Sequence, residues 1–74
     1  MSSIVSTPTQ ITVNGHPRGV AENSSVSDLM AELALDARKV AVELNRAIVP
    51  RSEYATTTLR AGDAVEIVSF IGGG

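Results

Sequence analysis

The chain has 74 residues, a length that suits one small domain and no more. Its formal net charge is −2 and its six basic residues are scattered, so the positive patch of a nucleic-acid binder is missing, and no apolar run is long enough for a membrane span. There is no cysteine, which excludes disulfides, iron–sulfur ligation and thiol catalysis by this chain.

With one Phe, one Tyr and no Trp, the core must be assembled from aliphatic side chains, which leaves little depth for a cavity. Met1–Thr9 is rich in Ser and Thr and contains Pro8, so residues 1–9 read as a flexible N-terminal arm. The arm has neither the basic segment nor the apolar stretch of a signal peptide, and a soluble, cytoplasmic protein is expected.

The stretch QITVNGHPRGVA reads as a β-hairpin. Ile11 and Val13 share one face, Asn14-Gly15 is the favoured pair for a tight primed turn, and Val20 continues the inward face of the second strand. His16 falls in the turn as a lone, solvated histidine. The stretch SSVSDLMAELAL is the clear helix. Ser25 can cap it with Asp28 three residues on, and Val26, Leu29, Met30 and Leu33 form one apolar stripe that must lie on a sheet.

Beyond the helix, Val40, Val42 and Leu44 point one way along a strand and Ala41 and Glu43 the other. Asn45-Arg46 turns the chain into a short strand, Ala47–Val49, which Pro50 stops. RSEYATTT reads as a polar connection with room for one helical turn, and Gly62-Asp63 makes a turn before the last strand. This order predicts an α+β domain over residues 10–71, one mixed sheet of about four to five strands with one main helix across it. The last strand is expected inside the sheet and not at its edge.

Parity sharpens the last strand, EIVSFI. If Glu66 faces water, Val65 and Ile67 face the helix, and the two-residue period puts Val68 and Phe70 outside with Glu66. The alternative is a strand that bulges or ends near Val68, with Phe70 folded back into the core. An exposed Val and Phe beside a terminus suggest a contact surface for another protein, and Val68, Phe70 and Ile71 are the candidate docking residues.

Gly72-Gly73-Gly74 offers no side-chain chemistry. Residues 72–74 read as a flexible tail that reaches about 10 Å and enters channels that any side chain would block. Its one reactive group is the α-carboxylate of Gly74, a poor electrophile until activated, as by adenylation. No phosphate-cradling motif is present, so a partner must supply that chemistry. The plainer alternative is a frayed end.

The segments VELN with IVPR (Val42–Arg51), LRAGD (Leu59–Asp63) and VEIVSFIGGG together resemble the thiamine-biosynthesis sulfur carrier family, ThiS. The likeness runs from Val40 to Gly74 and more loosely through the helix and first hairpin. It implies a ubiquitin-like β-grasp fold and a carrier that is not itself an enzyme. A ThiF-type adenylyltransferase would use ATP to adenylate Gly74, and a partner's persulfide would supply sulfur for a C-terminal thiocarboxylate. The thiocarboxylate would then feed thiazole formation by a thiazole synthase of ThiG type. The resemblance further implies that Gly72 and Gly73 thread the partner sites; from the residues themselves, no bound cofactor or metal and no nucleic-acid or membrane partner is expected. Two features depart from the family pattern: the arm is longer than expected, and Asn45-Arg46 stands where a glycine-containing turn is more usual. The rivals are a molybdopterin-type sulfur carrier, a ubiquitin-like protein modifier and a plain binding domain. The VPR segment and the triple glycine favour thiamine.

Overall fold

A computed structural model of the chain describes residues 8–70. Along these residues run β1 (Thr9–Val13), β2 (His16–Val20), α1 (Val26–Glu32), a 3₁₀ turn (Ala37–Lys39), β3 (Val40–Leu44), β4 (Ala47–Val49), a second 3₁₀ turn (Arg51–Glu53) and β5 (Ala64–Ser69). The five strands form one mixed sheet in the order β2-β1-β5-β3-β4, with α1 against one face. This is the β-grasp arrangement. β1 and β5 pair in parallel at its centre and every other pair is antiparallel. β1 already begins at Thr9, which the sequence assigned to the arm. Met1–Thr7 lie outside the described residues, as do Ile71 and the three terminal glycines.

Both hairpins close on two residues in the left-handed region. Asn14 and Gly15 have φ of 50° and 83°, and Asn45 and Arg46 have 51° and 72°. Such primed turns match the twist of the flanking strands. His16 is therefore not in the turn, as composition suggested, but is the first residue of β2, opposite Val13.

The helix is shorter than its apolar pattern implies. Ser25 and Asp28 form a reciprocal capping box, with Asp28 N–H donating to Ser25 Oγ at 3.0 Å and Ser25 N–H to Asp28 Oδ2 at 2.9 Å. Two other first-turn amides find carbonyls in the connection before β5: Val26 N–H donates to Thr57 O and Ser27 N–H to Tyr54 O, both at 2.9 Å. At the far end Ala34 takes φ 56°, Leu35 N–H donates to Met30 O and Ala34 N–H to Ala31 O. That is a Schellman end with alanine where glycine is usual, and it stops the helix before Leu33 can complete another turn.

The core follows from these contacts. Val26, Leu29 and Met30 of the helix meet Ile11, Val20, Val40, Val42, Val49 and Val65 of the sheet. Tyr54 and Leu59 close the core from the connection between β4 and β5, which the sequence showed only as a polar link. Among the described residues, no helix is long and apolar enough to cross a membrane.

Candidate functional site

β5 leads to the glycine tail, and the sheet holds it from both sides. On one flank it pairs with β3 over five residues, from Leu44 opposite Val65 to Val40 opposite Ser69. On the other it meets β1 only at Thr12–Ala64 and Val13–Val65, because β1 then turns away. The backbone bonds Asn45 N–H to Ala64 O and Phe70 N–H to Lys39 O fix the alternation of the antiparallel ladder. By that alternation the N–H and C=O of Ile67 face away from β3, where β1 has ended.

The Asn14 side chain fills that gap. Its Oδ1 accepts from Ile67 N–H at 2.8 Å and its Nδ2 donates to Ile67 O at 3.3 Å, so one side-chain amide stands in for a strand residue. Asn45 acts similarly at the start of β5. Its Oδ1 accepts from Ala64 N–H at 2.9 Å and its Nδ2 donates to Asp63 Oδ1 at 3.0 Å. Asp63 Oδ2 accepts from Arg60 N–H at 2.8 Å, which holds the turn around Gly62. Sequence reasoning assigned Asn14 and Asn45 to turns and missed their reach to β5. Their placement at left-handed positions was legible; their partners were not.

The parity argument for β5 agrees with the structure. Val65 is fully buried, Glu66 is exposed, and Val68 and Phe70 stand 58% and 60% exposed on the outer face, away from the helix. The strand neither bulges nor folds Phe70 inward, and Phe70 N–H still donates to Lys39 O at 2.8 Å, so the ring is carried by regular ladder. Ile48 of β4 adds a third exposed apolar side chain to this face, at 73%. Across the strands it joins Ala41 and Glu43 of β3. Ile71, the third residue expected to dock, and Gly72, Gly73 and Gly74 lie outside the described residues.

On the helix side of β5 an open groove of about 490 Å³ is lined mainly by Val13, Leu33, Leu35, Val40 and Ile67, with His16 and Arg18 also on its wall. It is a surface furrow and not the enclosed cavity that so small a core excludes. Arg18 is held by Glu32 at 3.1 Å. Near the start of β3, Asp36 accepts from the Arg38 side chain and backbone, which pulls its pKa from 3.8 to about 2, and the same pairing raises that of Arg38.

The model of the ThiS family matches residues 11–74 of this chain. A thiazole synthase of Paramagnetospirillum magneticum is 48% identical over 65 residues, which is 88% of this chain. This chain spans only 20% of that relative's length. The sulfur carrier protein ThiS of Bacillus subtilis is 36% identical over 53 residues, covering 72% of this chain and 80% of its own. The crystal structure of the thiamine biosynthesis protein ThiS from Geobacter metallireducens superposes with a TM-score of 0.77 at 42% identity, covering 89% of this chain and 100% of its own.

Proposed function

The chain belongs to the ThiS family, the sulfur carriers of thiamine biosynthesis, and on that premise we propose that its sulfur travels as a thiocarboxylate on Gly74. The observation that carries the proposal is the anchoring of β5. The strand before the tail is paired on both flanks and pinned by Asn14 and Asn45, so a rigid base presents a thin glycine thread.

The chemistry follows from the properties of a carboxylate. It must first gain a leaving group. A ThiF-type adenylyltransferase would join the Gly74 carboxylate to the α-phosphorus of ATP, releasing pyrophosphate and leaving an acyl-adenylate. The terminal sulfur of a partner's persulfide would attack the acyl carbon and expel AMP. Reduction of the resulting acyl disulfide by a second thiol would then free the thiocarboxylate. This anion is ionised and nucleophilic at neutral pH, so it holds sulfur ready without releasing sulfide.

Gly72 and Gly73 thread the partner sites, since three glycines reach about 10 Å and present no Cβ to a channel wall. Val68, Phe70 and Ile71 dock the carrier beside that channel. Thiazole synthase is the proposed acceptor. Two relatives bearing that name carry a segment like this chain within about a fifth of their length, and one polypeptide joining donor and acceptor raises their effective concentration. The carrier acts as a substrate of these enzymes in the cytoplasm.

Intact-mass analysis tests the proposal. Incubation with ATP, a ThiF-type enzyme and a persulfide source should yield a species about 16 Da heavier, the difference between sulfur and oxygen. The chain without Gly74 should gain nothing. A gain that survives loss of Gly74 would place the sulfur elsewhere and end the proposal.

A further inference from the structure

On the outer face of the sheet two glutamates stand directly opposite one another: Glu43 of β3 and Glu66 of β5 are register partners. Side chains so paired have Cβ atoms about 5 Å apart, and like charges at that position destabilise the sheet. Among the described residues neither carboxylate has an ion-pair partner. The ion pairs among the described residues are Arg18 with Glu32 and Arg38 with Asp36, neither of which involves the two glutamates. The acids are also set among apolar groups. Ile48 is the other cross-strand neighbour of Glu43, Ala41 and Val68 form the next row, and Phe70 lies one step beyond Val68.

We propose that this face docks onto a partner protein whose contact surface presents an arginine within an apolar patch, the guanidinium seated between Glu43 and Glu66. The inference rests on the carrier reading, in which this face meets partner enzymes. Covering Ile48, Val68 and Phe70 strips water from the two carboxylates. Two desolvated anions side by side cost far more than the apolar contacts return unless a cation arrives with the partner. A purely apolar partner surface is therefore rejected, and so is an anionic one such as a phosphate backbone. Arginine fits better than lysine because its planar fork can donate to two carboxylates at once. The acidic pair thus selects among apolar surfaces that the hydrophobic contacts alone would not tell apart.

The test is E43Q/E66Q in the full chain, read by two measurements. Without partner, the double variant should melt higher than the wild type, by about 2 °C, because glutamine removes the repulsion and keeps the shape. With a ThiF-type adenylyltransferase and with a thiazole synthase, calorimetric titration should show affinity falling at least about tenfold for one or both, with the salt dependence of wild-type binding largely lost. A lower melting temperature, wild-type affinity for both enzymes, or no binding by the wild type to either would each overturn the proposal. The gain in mass of the wild type is read separately. If it fails while the double variant binds more weakly, the sulfur chemistry falls and the docking pair stands. If the wild type gains mass and the variant binds as it does, the reverse holds.

Discussion

Replacing Asn14 separates two jobs that one residue does at the β1–β2 turn. Its side chain bonds both backbone groups of Ile67, at 2.8 and 3.3 Å, and its backbone sits at φ 50°. Each hydrogen bond is worth about 0.5–1.5 kcal/mol net, and the exposed setting and the longer second bond favour the low end. Together they contribute about 1–1.5 kcal/mol. Holding alanine in the left-handed region adds about 1 kcal/mol, a cost glycine does not bear. Asn14→Gly should therefore lose about 1–1.5 kcal/mol and Asn14→Ala about 2–2.5 kcal/mol. Urea unfolding with an unchanged m-value measures both, and hydrogen exchange at the Ile67 amide should speed up in each variant. If Asn14→Gly matches the wild type in stability and its Ile67 amide stays protected, the side chain does not complete the strand and the anchoring of β5 has been misjudged.

Ala34 occupies a left-handed helix end at φ 56° where glycine is favoured, so Ala34→Gly should stabilise the domain by about 0.5–1 kcal/mol in the same unfolding assay. Phe70→Asp should leave the melting temperature close to that of the wild type while abolishing detectable binding to the adenylating enzyme. Val65→Ala, at a fully buried site five residues earlier on the opposite face, should cost about 2 kcal/mol. Asp36 has its pKa lowered from 3.8 to about 2 by the side-chain and backbone hydrogen bonds from Arg38. Its contribution to stability is then complete above pH 3.8 and disappears as the pH falls through about 2. In thermal melts, the gap between the wild type and Asp36→Asn should close across that window, and a gap independent of pH would contradict the pairing.

Local pattern determined much of this protein. Asn14-Gly15 announced its hairpin, Ser25 with Asp28 announced the helix start, and the two-residue period of β5 put Phe70 outside before any neighbour was known. These features depend on residues a few positions apart, whose backbone angles and side-chain directions are set by local sterics and hydrogen bonds. The glycine tail belongs here too, since it is legible only as composition. Tertiary structure alone decided what those elements meet. Asn14 finds Ile67 fifty-three residues away, Tyr54 leaves a polar-looking segment for the core, and Glu43 comes to face Glu66. Each depends on the register between strands brought together by closing a long loop, and that register is set by how the whole apolar face packs beneath the helix. A periodic sequence says which way a side chain points, but only the packed sheet says what stands opposite it.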